Sequence, residues 1–381
     1  MLRRRRYYPA GFFASPGVLG IDCAGLKKSF LLDGGVMKTI DMRTINMKGI
    51  NMKTIGRILP ALLALAVMLA AGCGARHSDK EVFYLVGSNM SSTYFQSAVA
   101  GFKKAAAQYG VTAKTDGPDT HDPNAEFTVL QNAVAAKPSG ILVSVSDAAI
   151  LQPGIDAAIS AGIPVITFDS DAAASRRLYF IGTNNLEAGR LGGRRVVQKL
   201  GGKGNVVFFT LAGQPNTEER LKGFKDVFAS SPGINIADVV DIKGDPNVAF
   251  DRTQQLMAQT GAKKIDAFIS LDSASGKTVA DAVKRTGDTS RLLVAWDVNP
   301  DTLNGIKDGV IDSTVVQKPF TMGYVGLKAL DEIFHNPPAQ LGKDLSADAF
   351  APYPVFIDTG TALVDKTNVD AYLASASAGT T

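Results

Sequence analysis

One rhythm runs through this chain from Glu81 onward: a short apolar run, a stretch of helical spacing, then another apolar run. VFYLV (82–86), GILVSVS (140–146), PVITF (164–168), NVVFFT (205–210), DAFISL (266–271) and LLVAW (292–296) are continuous rather than alternating. Strands with apolar side chains on both sides must be buried on both faces, which demands a parallel sheet with helices above and below it. The intervals supply those helices. In 92–108, Phe95, Val99, Phe102 and Ala106 recur at steps of four, three and four, one stripe of an α-helix. Comparable stretches fall at 125–136, 149–161, 214–230, 248–260 and 274–286. This alternation predicts an α/β architecture. A length of 381 residues exceeds one ordinary core and predicts two doubly wound parallel-sheet lobes.

A short strand near 181–182 gives way at 183–185 to a fresh βα series, which marks a passage between lobes. VQKP (316–319), followed by an amphipathic helix over 321–335, marks a return. A Pro-rich connection over 336–354 then leads to two short strands and a last helix near 367–373. In open α/β sheets ligands bind at the carboxyl ends of the strands. Three acids stand there: Asp169 after PVITF, Asp272 after DAFISL and Asp297 after LLVAW.

The front of the chain reads differently. Lys53 and Arg57 precede the apolar run ILPALLALAVMLAA (58–71), then Gly72, Cys73 and a polar stretch. A charged start, a short apolar stretch and small residues make a secretory signal. With Cys directly after them, the segment resembles a bacterial lipoprotein signal, cut before Cys73, whose thiol takes the lipid. The other reading is a transmembrane anchor, for which the run is short of the ~20 residues a spanning helix needs. Upstream, MKTID, MRTIN, MKGIN and MKTIG repeat from Met37 with no apolar period. Residues 1–51 are therefore expected to be a mis-extended gene start, disordered if made; 52–72 are the signal and 73–80 a tether. The two cysteines, Cys23 and Cys73, both lie at or before that point, which leaves no cysteine for a disulfide or nucleophile in the body. The first 72 residues carry 11 Lys/Arg against 3 acids and the remainder 29 against 33, so the formal charge of +4 belongs to the front. The mildly acidic body gives no electrostatic case for nucleic acid.

No catalytic or cofactor motif emerges. SASGKT (273–278) follows a strand and opens a helix, but Leu271 stands where a phosphate loop needs its first glycine. GGKG (201–204) precedes a strand and reads as a helix C-cap. His77, His121 and His335 stand in no recognised metal or catalytic motif, and there is no GxSxG, HExxH or EF-hand loop. Asp169 and Asp171, at i and i+2 past a strand, are expected to share one side and to accept hydrogen bonds rather than exchange protons or hold metal. Arg220 lies four residues after Asn216 in QPNTEERLKGF, on one helix face, and is their natural partner; the competing reading is a surface salt bridge with Glu218 or Asp226.

SSTYFQSAVAGFKKAAAQYGV, GIPVITFDSD, NTEERLKGF, VAWDVNPD and TVVQKPFTMGY, in this order from about Val82 to about Val364, resemble the ribose-binding, type I periplasmic family of sugar-binding proteins. The resemblance implies two α/β lobes joined by a three-crossover hinge: 81–183 with 318–350, and 184–317 with 351–375. It implies a monomeric, non-enzymatic protein that closes on a small sugar or polyol and delivers it to an ABC permease. That places it in the periplasm or at the cell surface, with no cofactor and no metal. A receptor acting on a membrane signalling partner is the alternative. Carried over by motif, Tyr94 and Phe95 stack on the sugar ring, Asp169 accepts hydroxyl hydrogen bonds and Arg220 donates. Asp297 and Gln317 clamp from the other lobe and the hinge. Asp272 stands where ribose binders have Asn, Ser170 where they have Arg, and Pro246 where an aromatic is usual; these departures point away from ribose. DSD and the Asn216–Arg220 spacing look more like the branch with rhamnose and furanosyl autoinducer binders, in which Asp171 and Asn216 also line the site.

Overall fold

The computed structural model describes residues 77–378 apart from 289, 340, 342–347, 349 and 352, together with a two-residue strand pair, Lys27–Lys28 with Ile40–Asp41. The signal, Cys73 and the expected disorder of the front end lie outside the described residues. His77 begins the folded unit. Its first residues, the end of the stretch expected as a tether, are docked: the His77 ring stacks on Tyr109 and lies 2.9 Å from Asp331, and Thr112 Oγ1 donates to the Asp79 carbonyl.

The first sheet has the order β11-β5-β4-β3-β1-β2, all parallel. Its strands are β1 (Val82–Val86), β2 (Thr112–Asp116), β3 (Gly140–Val143), β4 (Val165–Phe168), β5 (Phe180–Gly182) and β11 (Phe356–Asp358). Helices α1 (Thr93–Tyr109), α2 (Pro123–Ala135), α3 (Ala148–Ser160) and α9 (Pro319–His335) cover it. The second sheet has the order β12-β10-β9-β8-β6-β7. It comprises β6 (Lys203–Thr210), β7 (Gly233–Asp241), β8 (Ala267–Ser270), β9 (Leu292–Trp296), β10 (Ser313–Val316) and β12 (Ala362–Asp365), the last antiparallel on its edge. Helices α4 (Asn185–Leu200), α5 (Pro215–Phe228), α6 (Pro246–Met257), α7 (Ser275–Thr286), α8 (Pro300–Asp308) and α10 (Val369–Ala378) go with it.

Every residue of β3, β4, β8 and β10 is buried, as central strands covered on both faces require. The helices start where side chains can cap them. Ser92 accepts from the Phe95 amide, and Asp122 and Asp147 each accept two amides, at α1, α2 and α3.

The chain passes between sheets at 183–184, 317–318 and 359–361. The third passage corrects the boundary expected at 350–351. Phe356–Asp358 pairs with Phe180–Gly182, with Phe356 stacked on Phe180, so this stretch completes the first sheet before the chain crosses. The β5 edge offers open hydrogen-bonding groups, and a short extended segment takes them wherever it can reach.

One helix pair in each lobe closes through glycine. A Cβ on Gly101 of α1 would stand 2.0 Å from the Phe320 carbonyl of α9, and one on Gly323 of α9 2.0 Å from that of Ala98. In the other lobe, a Cβ on Gly189 of α4 would meet the Arg220 carbonyl of α5 at 2.1 Å, and one on Gly223 that of Leu186 at 2.2 Å. Any side chain there would push apart the helices that carry Tyr94 and Arg220. GGKG forms the α4 C-cap and a turn, with Gly201 at φ 62°. Among the described residues no helix is long and apolar enough to cross a membrane.

Candidate functional site

The carboxyl ends of strands from both sheets face one cavity of about 60 Å³. Its wall includes Tyr94, Phe95, Asp169, Asn216, Arg220, Asp272, Asp297 and Gln317. Eight of the nine ligand-contact residues expected from the sequence are therefore together; Asp171 is not.

The correction at Asp171 has a backbone cause. β4 ends at Phe168, and Asp169 takes φ 62°, outside the extended region in which i and i+2 share a side. The turn carries Asp171 outward. There Arg177 holds it with a two-pronged ion pair at 2.5 Å and Thr167 Oγ1 donates at 2.6 Å. The second acid of DSD is structural, and it no longer argues for one branch of ligands.

Asp169 is 4% exposed and accepts from Tyr94 Oη at 2.8 Å, Ser144 Oγ at 2.8 Å and, across the cleft, Asn216 Nδ2 at 3.4 Å. Burial drives its carboxyl above the ordinary range, while Arg220 and those three donors pull it back. Tyr94 is held by that bond and packs edge-on against Phe95, which meets Phe168 in the same way. Burial, with Asp169 and Asp297 nearby, pushes the Tyr94 phenol well up, so it stays a neutral donor.

Arg220 is fully lodged. Its Nε donates to Asn185 Oδ1 at 2.9 Å and Nη1 to the Leu271 carbonyl at 2.7 Å, while the guanidinium lies 4.6 Å above the Trp296 ring. The surface salt bridge of the competing reading is absent: Arg220 is 2% exposed, and Asp226 pairs with Arg190. Its Nη2 has no hydrogen-bond partner among the described residues.

Asp297, at φ 61°, accepts from Gln317 Nε2 at 2.9 Å. Burial lifts its carboxyl to about 7, with Asp169 and Asp272 adding to the rise and Arg220 and Gln317 opposing it. Asp272 is more committed. Its carboxylate accepts the Ala274 and Ser275 amides at 2.7 and 2.9 Å and the Ser275 hydroxyl, so it caps α7 while its flank lines the cavity. SASGKT thus opens a helix at whose start the Ala274 and Ser275 amides are taken by an aspartate.

Sequence reasoning missed several wall residues: Ser88, Asn89, His121, Gln214 and Ser273, with Ser144 behind Asp169. Ser144 was findable, since it ends the run GILVS at a carboxyl edge. His121 gave no signal, because the loop after β2 brings it there; burial lowers its pKa against the pull of Asp241, Asp122 and Asp147. Gln214 steadies Asn216 by a 2.8 Å bond, and its Oε1, like Gln317 Oε1 and Arg220 Nη2, is buried without a partner.

The wall therefore offers carboxylate acceptors, one guanidinium, the four side-chain amides of Asn89, Gln214, Asn216 and Gln317, and the rings of Tyr94 and Phe95. A buried polar atom left unpaired costs about 1–3 kcal/mol. Donors and acceptors of this kind at fixed places suit a compact ligand dense in hydroxyls, and rings cover its apolar faces.

Residues 83–336 match the model of the periplasmic binding protein domain. The ribose import binding protein of Salmonella typhimurium is 24% identical over 285 residues, 74% of this chain and 94% of that protein. A glucose-galactose binding protein from Geobacillus stearothermophilus superposes with a TM-score of 0.69 at 27% identity, over 75% of this chain and 98% of its own. The sugar-binding protein of a sugar ABC transporter from Bacillus halodurans does so at 0.66 and 31%, over 77% and 99%.

Proposed function

We propose, from the premise that this chain belongs to the periplasmic binding protein family, that it captures a monosaccharide or similar small polyol between its two lobes. It then presents that ligand to an ABC permease. Members of this family are extracytoplasmic solute-binding proteins of ABC transporters, not enzymes, and the matched relatives bind sugars. The observation that carries the finer reading is the cavity wall itself. Arg220 Nη2, Gln214 Oε1 and Gln317 Oε1 are buried without partners beside Asp169 and Asp297. Ligand hydroxyls donate to the two carboxylates and Gln317, and Arg220 donates to a ligand oxygen. The rings of Tyr94 and Phe95 cover an apolar face. Closure of the lobes about the crossings at 183–184, 317–318 and 359–361 removes water from these bonds. Asp272 and Asn216 shape the wall from the α7 and α5 side.

Cys73 carries a lipid that anchors the chain, as a monomer, to the membrane outside the cytoplasm. Its replacement by Ala is expected to release the protein from the membrane fraction.

A thermal-shift screen of pentoses, hexoses, deoxysugars and sugar alcohols tests the ligand class, followed by titration on the emission of Trp296, the only tryptophan. At least one member should raise the melting temperature and change the emission, because Arg220 stacks directly on that indole. Stabilisation by none of them would overturn the sugar assignment.

A further inference from the structure

Four ligand-type side chains meet at the pole of the first lobe, at the amino end of β1 and so away from the cleft. His77 Nε2 lies 2.9 Å from Asp331 Oδ2, His335 Nδ1 3.5 Å from Asp331 Oδ1, and His335 Nε2 3.4 Å from Glu81 Oε2. Asp331 and His335 share one face of the last turn of α9 at i, i+4, the spacing by which one helix can offer two ligands to one ion. The groups come from three separate places in the chain: the first residue of the folded unit, the approach to β1 and the end of α9.

We propose that His77, Asp331 and His335, with Glu81, form a binding site for a divalent transition metal of the zinc class. The spacing fits. Two ligand atoms about 2.0–2.1 Å from a tetrahedral ion stand about 3.3 Å apart; the His77–Asp331 and His335 Nε2–Glu81 separations straddle that value, and one ligand atom from each of His77, Asp331 and His335 lies within 4.8 Å of the other two. The imidazole of His335 is oriented for it, since its Nδ1 lies 2.9 Å from the Asp331 carbonyl. A nitrogen donating there leaves the lone pair on Nε2, toward Glu81, which is how metal-binding histidines are usually braced.

A second observation points the same way. Asp331 is 4% exposed, yet among the described residues its Oδ1 has no hydrogen-bond partner; neither has Glu81 Oε2, also buried. Buried carboxylate oxygens that meet an imidazole nitrogen only at 3.4 and 3.5 Å are costly unless a cation joins them. Two imidazole nitrogens and a carboxylate that meet at one point suit zinc, and Glu81 stands beside them. Bound there, the ion staples the start of the folded unit to the end of the helix that returns from the second lobe.

The test uses the tag-free chain, stripped with chelator and titrated with Zn²⁺ by calorimetry and with Co²⁺ by visible absorption. One-to-one binding at submicromolar affinity and the intense bands of tetrahedral cobalt are expected. His77→Gln and Asp331→Asn should each weaken Zn²⁺ at least about tenfold, with sugar affinity unchanged. If Asp331→Asn fails to fold, His77→Gln decides, because its ring is partly at the surface and tolerates the change. Failure of the native chain to bind either metal stoichiometrically would overturn the proposal, as would undiminished binding by His77→Gln.

Discussion

Asp169 and Asp297 stand at equivalent places, each the first residue past a buried parallel strand, one in either sheet, with φ of 62° and 61°. Left-handed backbone at a non-glycine costs roughly 1–2 kcal/mol, and here it turns a carboxylate from the strand into the cavity twice over. The surroundings then diverge. Asp169 accepts from Tyr94, Ser144 and Asn216. Asp297 accepts from Gln317 as its one side-chain donor among the described residues, and leans on Arg220 for charge. One lobe has its acceptor fixed by the protein; the other leaves its acceptor to be completed by what binds.

The largest expected effect comes from the group both acids share. Arg220→Ala should weaken sugar binding at least about 30-fold, because truncating a buried, hydrogen-bonded charge that faces opposite charges costs about 2–5 kcal/mol. Calorimetry reads it, and unchanged circular dichroism separates lost binding from lost fold. Affinity retained within about threefold would break the comparison.

Asp297 then separates the lobes by pH. An unfolded chain gives up this proton near the ordinary value of 3.8, the folded one near 7. Stability of the empty protein therefore falls as pH rises from about 4 to about 7, and is level above, by on the order of 2–4 kcal/mol for this group. Asp297→Asn should flatten that fall and raise the melting temperature at pH 8. Asp169→Asn should gain less, since its new amide NH₂ meets groups that were donating to it. Equal gains in both would show that their hydrogen-bond partners make no difference.

Ligand affinity should run the opposite way. Hydroxyls donate to an ionised carboxylate, so binding favours loss of a proton and should strengthen from pH 5.5 to 8. Calorimetry in two buffers of different ionisation enthalpy counts the protons released, and Asp297→Asn should abolish most of the dependence.

Gly101→Ala and Gly189→Ala test whether the lobes are built alike. Each introduces a methyl about 2 Å from a carbonyl oxygen of the facing helix, and overpacking costs about 1–3 kcal/mol. Similar losses in melting temperature are expected. The smallest effect belongs to Asp171→Asn, which should leave affinity within about twofold while lowering stability through the loss of the Arg177 pair.

Much of this molecule was legible beforehand. The runs of Val, Ile and Phe place the strands of both sheets, and the strand-end rule puts Asp169, Asp272 and Asp297 on one side of them. The spacing of Arg220 to Asn216 offered it as a partner of the acids beside the reading of a surface salt bridge, and its burial decided between the two. Other features have no local signature. Asp171 reads as a twin of Asp169 until one positive φ turns it to Arg177. Asp272 reads as a ligand contact, yet most of its bonds cap a helix. His121 reaches the wall only because a loop lands there.

By itself the sequence determined which segments are strands and helices, because hydrophobic period and capping act between residues a few positions apart. Only the tertiary structure decided that 356–358 completes the first sheet rather than the second, since strand pairing depends on which edge lies open. The same holds for Arg220, which is locked by Asn185, the Leu271 carbonyl and the Trp296 ring, three groups remote from it in sequence. It holds again where His77 meets Asp331 and His335 across some 254 residues. Desolvation and through-space charge depend on neighbours in space, and sequence separation carries no record of them.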